Sequence, residues 1–337
     1  MRETVSQRFA RRVITIPATV VAFGVVAFGF PLMLMVALAT DLLAPHPNPL
    51  PRRGGEGASF SSTRLAVAAL CFLAVENLGL VLLGWTWVST SAHSKTRASR
   101  TFAIQRLYTG WHLNWVSWVF SLTFVIKGAE LVLPGPLLVF VRHASLVDVL
   151  IPGAFIANVH KVELRYVLKR ELLFEPCLDL AGHWIPNHFV ERGGKNTELE
   201  LSAIAALKGG IGQNEGVIIY PEGTRFSSRM RELTIGKLEG ASKVRAEKLR
   251  HLLPIRLGGA MTLLGAEPQA DVLFVGHHGL EGLTRLGDIW RGSLVGRTIT
   301  VQFWREKAEH VPSGDEARLA WVNERWQLVD DWLEEFE

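Results

Sequence analysis

The chain has 337 residues, a hydrophobic content of 48% and a positive mean hydropathy of +0.21. A soluble enzyme of this length seldom has that balance, so a wholly soluble protein is disfavoured and membrane segments are expected. The formal net charge of +4 suits an anionic membrane surface or phosphorylated substrates, but no nucleic-acid-binding motif accompanies it and nucleic acid is not predicted as a partner.

The first predicted element is an uncharged apolar run over residues 13–40, which is long enough to cross the roughly 30 Å hydrocarbon core of a membrane as a helix. A cleaved signal peptide is the alternative, but the run is too long for a typical apolar region of a signal and lacks a convincing cleavage site. Pro17 and Pro31 are expected to kink or re-route the helix. The segment before it is basic, with Arg8, Arg11 and Arg12.

A linker rich in Pro, Gly and Ser is predicted over residues 41–64, and a second apolar run follows over residues 65–88. The two runs would form a membrane helical hairpin. Glu76 and Asn77 lie near the middle of the second run, where polar groups are costly and mark a function or a buried partner. The alternative is that this segment lies shallow in the membrane or pairs with the first helix.

A basic segment follows the hairpin, with Lys95, Arg97, Arg100 and Arg106. Because both flanks of the hairpin are basic, the positive-inside rule predicts that they and the catalytic domain lie on the cytoplasmic side, and the cell inner membrane is the expected location. Arg52, Arg53 and Arg64 in the intervening loop count against this orientation. The next segment, 108–126, is rich in tryptophan and is predicted to be an interfacial amphipathic helix, with a third membrane span as the alternative.

From residue 131 onward the pattern changes to strands that alternate with helices, which predicts a layered α/β domain over 131–337 with a largely parallel central sheet, preceded by membrane-associated helices over 1–130. Strands are predicted at 137–141, 164–168, 188–190, 217–220, 252–256, 272–275 and 298–304. Helices are predicted at 146–157, 197–208 and 236–250, and a C-terminal helix is predicted to begin with a capping box of Ser313 and Glu316.

His143 and Asp148 lie at the predicted corner between the strand at 137–141 and the helix that follows. This pairing suits proton abstraction, because a neutral imidazole has an unperturbed pKa of about 6.5 and a carboxylate behind it fixes the tautomer and stabilises the imidazolium. The structural alternative is that Ser145 and Asp148 only cap the helix, which leaves His143 as an ordinary residue at a strand end.

A second motif, at residues 216–225, is an apolar strand followed by a tight turn. Pro221 ends the strand, Gly223 lets the backbone approach a ligand closely, and Arg225 offers a planar fork suited to phosphate. The alternative is an ordinary turn with an exposed salt bridge. Residues 225–250 hold eight basic and three acidic side chains, which suit the phosphates of coenzyme A, anionic headgroups or simply a solvated helix face.

These two motifs, His143 with Asp148 and the run from Pro221 to Arg225, resemble those of the glycerolipid acyltransferase family, whose best-known members make phosphatidic acid from 1-acylglycerol-3-phosphate. The resemblance covers residues 132–257. Two weaker blocks of the family are similar to residues 169–192 and 253–255. Family members commonly carry Asn immediately before the histidine, where this chain has Arg142.

The resemblance implies a membrane-bound O-acyltransferase that moves a fatty acyl group from acyl-CoA or an acyl-carrier protein to the free hydroxyl of 1-acylglycerol-3-phosphate. In the family's terms, His143 removes the proton of the acceptor hydroxyl, the oxygen attacks the thioester directly, and Asp148 orients His143. No resident cofactor is implied, and membrane lipids are the expected surroundings.

The resemblance also assigns the binding residues. Arg225, together with Arg192 and Lys169, would hold the acceptor phosphate. The turn residues Glu222, Gly223 and Thr224 would shape the site and contact the acceptor. No metal site is predicted, because the histidines at 183, 188, 277 and 278 lack the spacing of known zinc motifs.

Several alternatives remain open. The acceptor could be glycerol-3-phosphate, another lysophospholipid or a lyso-aminolipid. A catalytically silent lipid-binding membrane protein is a different class of answer, which the full set of motif residues disfavours. A membrane-anchored hydrolase is disfavoured by the lack of a G-x-S-x-G nucleophile motif.

Overall fold

The computed structural model describes residues 3–43, 60–191, 197–265 and 270–336. Most of the predicted linker at 41–64 and the predicted phosphate ligand Arg192 lie outside these ranges. The chain divides into two compact units. The first comprises Met1–Thr123, Lys169–Pro186 and Arg285–Arg297, and the second comprises Phe124–Leu168, Asn187–Thr284 and Thr298–Glu337.

The first unit contains two helices, α1 (Val5–Leu43) and α2 (Ser61–Ser89), that are long and apolar enough to cross a membrane by length and composition. Many of their large apolar side chains are exposed, as a lipid-facing surface requires. The helix α1 runs without a break through Pro17 and Pro31, so these prolines do not re-route it. The predicted hairpin therefore corresponds to two long helices.

The third helix of this unit, α3, covers Lys95–Phe120, so it begins earlier and ends earlier than the predicted segment 108–126. Its C-terminus is fixed by Ser121, which has a left-handed backbone conformation with φ 56°. The unit also contains the short helices α5 (Pro176–Gly182) and α10 (Leu286–Trp290).

The two polar residues in the middle of α2 are buried against neighbouring helices. Glu76 is 1% exposed, accepts a hydrogen bond from the hydroxyl of Tyr108 and lies 3.6 Å from Nε2 of His112, both on α3. The amide of Asn77 donates to the carbonyl oxygen of Thr19 on α1 at 3.5 Å. Pairing between helices therefore accounts for the position of both groups within an apolar helix.

The second unit is built on a mixed sheet of seven strands, counted over the described residues. The strands are β1 (Thr123–Lys127), β2 (Leu137–Val141), β3 (Glu163–Lys169), β4 (His188–Val190), β5 (Glu215–Ile219), β6 (Asp271–His278) and β7 (Thr298–Glu306). Their order is β1-β7-β6-β2-β5-β3-β4. The pairs β2–β5, β2–β6 and β3–β5 are parallel and β6–β7 is antiparallel, which confirms the predicted α/β class with a mostly parallel sheet.

Helices cover this sheet and bury its apolar side chains. They are α4 (Leu150–Pro152, continued by a π-helical turn at Gly153–Asn158), α6 (Thr197–Ala206), α7 (Ser228–Ile235), α8 (Gly240–Lys248), α9 (Leu257–Leu264) and α11 (Asp315–Glu334). The largest core cluster joins residues of α6, α9 and α11 to residues of the central strands. The strand β2 is fully buried along its length, as its continuous apolar run requires of a central parallel strand.

Two local predictions are wrong. Residues 252–256 form no strand, because the backbone groups of Leu253 are taken by side chains: its N–H donates to Glu222 Oε2 at 3.0 Å and its carbonyl accepts from Trp326 Nε1 at 3.0 Å. The capping box at the C-terminal helix is also absent. The helix α11 has Gly314 as its N-cap with no side-chain cap, and the carbonyl of Ser313 accepts from Arg318 instead.

Candidate active site

The two sequence motifs follow neighbouring parallel strands of the second unit. His143 comes two residues after the end of β2, and Glu222 comes three residues after the end of β5. His277 lies at the end of β6, the other neighbour of β2. Because the carboxyl ends of parallel strands meet at one edge of a sheet, the strand order alone brings these three side chains to the edge where α/β proteins commonly bind ligands.

His143 and Asp148 form a hydrogen-bonded pair. The distance from Nδ1 of His143 to Oδ1 of Asp148 is 3.0 Å, and the carboxylate is fully buried while the imidazole is 16% exposed. Since the carboxylate accepts the proton on Nδ1, the lone pair of the neutral ring lies on Nε2. The ring also lies against Tyr220, with 4.9 Å between ring centroids. This arrangement is that of a general base with an orienting carboxylate.

Ser145 and Asp148 do not cap the helix α4, whose N-cap is Val149 with no side-chain hydrogen bond, but they form the hydrogen bonds of such a cap in the turn before it. Oγ of Ser145 accepts from the backbone N–H of Asp148 at 3.0 Å, and Oδ2 of Asp148 accepts from the backbone N–H groups of Ala144 at 2.6 Å and Ser145 at 2.7 Å. One carboxylate oxygen therefore holds the turn, while the other holds the imidazole. These hydrogen bonds and the pairing with His143 are compatible, and the turn gives the catalytic carboxylate a fixed position.

A second imidazole lies beside Asp148. Nε2 of His277 is 3.4 Å from Oδ2 of Asp148, and the residue is fully buried in β6. Burial works against the charge of Asp148, but hydrogen bonds from His143 and His277 outweigh it and hold the pKa of this carboxyl well below its usual range. The carboxylate therefore stays ionised beside His143. The sequence raised His277 only as a metal ligand, although a histidine at the end of a strand next to β2 is a usable signal for this position.

Glu222 ties the two motifs together. Its Oε1 accepts from the backbone N–H of His143 at 2.7 Å, and its Oε2 accepts from Leu253. Burial of this side chain raises its pKa to about 8, although the two backbone hydrogen bonds lower it. A further backbone bond runs from the N–H of Phe226 to the carbonyl of His143 at 2.7 Å. The loop after β5 is thus joined on both sides to the histidine.

Gly223, Thr224 and Arg225 complete this turn and are each half-buried. Gly223 has φ +67°, and a Cβ there would meet the side chain of Arg256 at 2.5 Å, so the position requires glycine. Nη1 of Arg225 donates to the carbonyl of Thr284 at 2.7 Å. That bond fixes one side of the guanidinium, which has further N–H groups for a ligand oxygen.

Arg142, where the family commonly has Asn, is a buried structural cation. It is 1% exposed and donates to the carbonyl of His277, to Oε1 of Glu281 and to the carbonyl of His251. Oε2 of Glu281 accepts from Gly279 at 2.8 Å, so the pair closes the turn after β6. The histidine corner is therefore braced against β6 by an ion pair.

The roles of the two remaining predicted site residues, Lys169 and Arg192, stay predictions. Lys169 ends β3, belongs to the first unit, is 42% exposed and forms an ion pair with Glu171 at 3.4 Å. Arg192 lies outside the described residues. The described cluster of the second unit thus consists of His143, Asp148, Glu222 and Arg225 with the supporting residues Arg142 and His277. It can remove a proton from a hydroxyl and hold an anion close by.

The pKa of Glu222 leads to a prediction for stability. The side chain has a pKa of about 8 in the folded protein, against an ordinary pKa of 4.5 for a glutamic acid. The stability that this shift contributes is present below pH 4.5 and is lost as the pH rises toward 8. Gln cannot accept both backbone hydrogen bonds, so Glu222→Gln is expected to lower Tm by about 2–10 °C at pH 5. The difference in Tm between the variant and the unmodified protein should be smaller at pH 8 than at pH 5.

Thermal unfolding followed by tryptophan fluorescence in detergent, at pH 5 and at pH 8, would measure this difference. Glu309→Gln is the matched control, because Glu309 is 80% exposed and contributes no buried carboxyl. A difference in Tm of the same size at both pH values would show that Glu222 does not titrate between pH 5 and pH 8.

Comparison with known proteins supports the fold and the acyltransferase class. Residues 123–266, under half of the chain, match the family model described as Acyltransferase. The search of curated proteins found no match. Among solved structures, the 1-acyl-sn-glycerophosphate (LPA) acyltransferase PlsC from Thermotoga maritima is similar, with 18% identity, a TM-score of 0.51 and coverage of 81% of this chain and 97% of that chain. At this identity the likeness bears on the fold.

The fold and the site thus define an α/β domain with a histidine–aspartate pair at the carboxyl edge of a mostly parallel sheet. The chain contains a domain of the acyltransferase family, as the resemblance of its two motifs implied. The part of the chain that matches the family model includes all the predicted site residues.

Proposed function

We propose that this protein transfers a fatty acyl group from a thioester donor to the free hydroxyl of 1-acylglycerol-3-phosphate and thereby forms phosphatidic acid at a membrane surface. The observation that carries the proposal is the hydrogen-bonded pair of His143 and Asp148, joined through Glu222 and Phe226 to the loop that holds Arg225. The family match supports acyl transfer, and the activity of the similar solved enzyme from Thermotoga maritima supports this acceptor.

In the proposed reaction, Nε2 of His143 takes the proton of the acceptor hydroxyl as its oxygen attacks the thioester carbonyl. Asp148 stabilises the imidazolium that forms. The tetrahedral adduct then expels the thiolate, which leaves as a thiol after taking the proton from His143. One ester bond forms, one thioester bond breaks, and the imidazole returns to its starting state.

Arg225 is proposed to hold the acceptor phosphate. Its anchoring bond to Thr284 fixes the guanidinium in the same loop that is joined to His143. A guanidinium on phosphate forms strong, directional, charge-assisted hydrogen bonds. Lys169 and Arg192 stay proposed contributors, and Glu222, Gly223 and Thr224 are proposed to shape the site next to the acceptor.

The membrane segments suit this chemistry, because a lysophospholipid and its product both reside in the bilayer. The helices α1 and α2 have the length and composition to hold the enzyme at the lipid. The inner membrane, with the catalytic domain on the cytoplasmic side, is the proposed location, since both flanks of this hairpin are basic. The donor is proposed to be acyl-CoA or an acyl-carrier protein, whose negative charge suits the basic residues of 225–250.

The role of Arg225 can be tested with Arg225→Ala. Loss of a charge-assisted hydrogen bond to phosphate is expected to raise KM for 1-acylglycerol-3-phosphate about tenfold, with a smaller change in kcat. Steady-state kinetics with labelled acyl-CoA would measure both constants. An acceptor without a phosphate should show no increase in KM.

Arg291→Ala is the matched control, because the side chain of Arg291 is 74% exposed and lies outside the basic segment 225–250. An unchanged KM in Arg225→Ala would remove Arg225 from the phosphate site. An equal increase for an acceptor that lacks phosphate would assign Arg225 to the shape of the loop instead.

A further inference from the structure

Two adjoining cavities lie in the first unit, at the end of the hairpin where α1 begins and α2 ends. The smaller, of about 170 Å³, is lined by Arg8, Arg12, Arg97 and His183 among other residues. The larger, of about 420 Å³, is mainly apolar and has a volume typical of a small-molecule site. Arg12, Arg97 and Trp184 line both cavities, so the basic cavity and the apolar cavity are adjacent.

The basic cavity contains a buried cation without a carboxylate partner. Arg97 is 8% exposed, and its guanidinium donates to Oγ1 and the carbonyl of Thr90 and to the carbonyl of Trp87. It also lies over the ring of Trp184, with Cζ 5.3 Å from the centroid. Within the described residues it forms no ion pair with Asp or Glu. A buried charge of this kind is costly unless an anion compensates it.

Other arginines add to the positive charge at this place. Nε of Arg8 is buried and has no hydrogen-bond partner among the described residues, and its nearest ion-pair partner, Glu3, is 3.7 Å away. Arg12 shares the buried carboxylate of Asp179 with Arg11, which also pairs with Glu3. Among the described residues, the four guanidinium groups of Arg8, Arg11, Arg12 and Arg97 are thus accompanied by only two carboxylates, which leaves about two positive charges uncompensated at and beside the basic cavity.

The apolar cavity lies next to these charged residues. It is lined by Ile16 of α1, by Leu80 and Gly84 of α2 and by Leu180 of α5. A Cβ built on Gly84 has no neighbour within 4 Å, so the space beside this glycine is open. Such an apolar space next to a basic one matches a molecule with a phosphate at one end and a hydrocarbon chain at the other.

The aromatic residues nearby indicate the level of a membrane interface. Trp85 and Trp87, in the last turns of α2, are 67% and 61% exposed. Exposed tryptophans at a helix end are typical of the headgroup region of a bilayer. At that level a phospholipid can place its phosphate in the basic cavity with its acyl chain directed into the apolar space.

We infer that the first unit binds an anionic phospholipid, with its phosphate between Arg8, Arg12 and Arg97 and one acyl chain along Gly84. The site consists of residues that the proposed reaction does not use. It would compensate the buried charge of Arg97 and attach α1 and α5 to the bilayer through a specific lipid.

Native mass spectrometry of the full-length protein in detergent, titrated with dioleoylphosphatidylglycerol and without an acyl donor, would test this inference. Two variants change the two ends of the site. Arg8→Gln removes the guanidinium with the unpartnered Nε, and Gly84→Leu fills the apolar space. Each is expected to weaken binding about tenfold or more, as the loss of a charge-assisted hydrogen bond or of the chain's space requires.

Matched controls exist in the helices of the same unit. Gly24→Leu places the same side chain on α1, where a Cβ also has no neighbour within 4 Å, and Arg100→Gln removes an arginine that contacts Ser89 and lines neither cavity. Both should bind the lipid as the unmodified protein does. Dioleoylglycerol, which lacks phosphate, and glycerol 3-phosphate, which lacks acyl chains, should each bind at least tenfold more weakly.

Equal lipid binding by all the variants would overturn the inference. Binding of glycerol 3-phosphate as tightly as the lipid, and weakened to the same degree by Arg8→Gln, would also overturn it, because the cavity would then be a site for a free anion. Since no acyl donor is present, the result does not depend on whether the proposed acyl transfer is correct.

Discussion

His143→Ala is expected to lower kcat/KM for acyl transfer by about 10²- to 10⁴-fold, which is the usual contribution of a general base. The ring is partly exposed and lies at the end of β2, and its only described side-chain hydrogen bond is to Asp148. Its removal should therefore leave the core of the second unit intact. Transfer of label from acyl-CoA to 1-acylglycerol-3-phosphate, with the purified variant in detergent, measures the loss.

His310→Ala is the control for this substitution, because the side chain of His310 is 58% exposed and lies outside the site. Its activity should equal that of the unmodified protein. If His143→Ala is folded, as judged by Tm and circular dichroism, and keeps its rate within threefold, His143 is not the base.

Asp148→Asn is expected to lower kcat by about 10²- to 10⁴-fold with little change in KM. The carboxylate accepts on one oxygen from His143 and on the other from two backbone N–H groups. The side-chain oxygen of the introduced Asn can accept the two backbone hydrogen bonds only if its NH2 group is turned toward the imidazole. Nδ1 must then accept, so the proton moves to Nε2 and the base is lost.

The acceptor hydroxyl does not touch Asp148 in this account, so the loss should appear in kcat. A variant at an exposed carboxylate, Asp315→Asn, controls for the change of charge, since Asp315 is 93% exposed. A loss confined to KM, or a rate within threefold of the unmodified protein, would show that Asp148 does not set the tautomer of His143.

Much of the site follows from the sequence, because its main residues are local in the chain. His143 and Asp148 are five positions apart on one turn, and their spacing already implies contact at a strand end. The turn at Pro221–Arg225 follows directly from an apolar strand. Parallel order of the strands is what an alternating α/β pattern predicts, and it brings the two motifs to one edge.

The supporting contacts do not follow from the sequence, because they join residues that are distant in the chain. Arg142 donates to the carbonyl of His277, 135 positions away, and His277 also lies against Asp148. No periodicity or spacing reveals such a pairing before the strand order is known. The double role of Asp148, which holds the turn with one oxygen and His143 with the other, likewise depends on the tertiary placement of the side chain.

The prediction of a strand at 252–256 is wrong for a similar reason. An apolar run with a central proline predicts a short strand, yet the backbone of Leu253 bonds to the side chains of Glu222 and Trp326 instead of to another strand. Both side chains are remote in sequence, so tertiary contacts override the local pattern. Through the hydrogen bond from Leu253, this segment helps to hold Glu222 in contact with His143.

The most direct test of the central claim is an acceptor panel with the purified protein and labelled acyl-CoA. 1-Acylglycerol-3-phosphate would be compared with glycerol-3-phosphate, other lysophospholipids and a lyso-aminolipid, with His143→Ala beside each. The expected result is labelled phosphatidic acid from 1-acylglycerol-3-phosphate at the highest kcat/KM and its loss in the variant. Label that reaches no acceptor, or that reaches one equally well without His143, would contradict the proposed reaction.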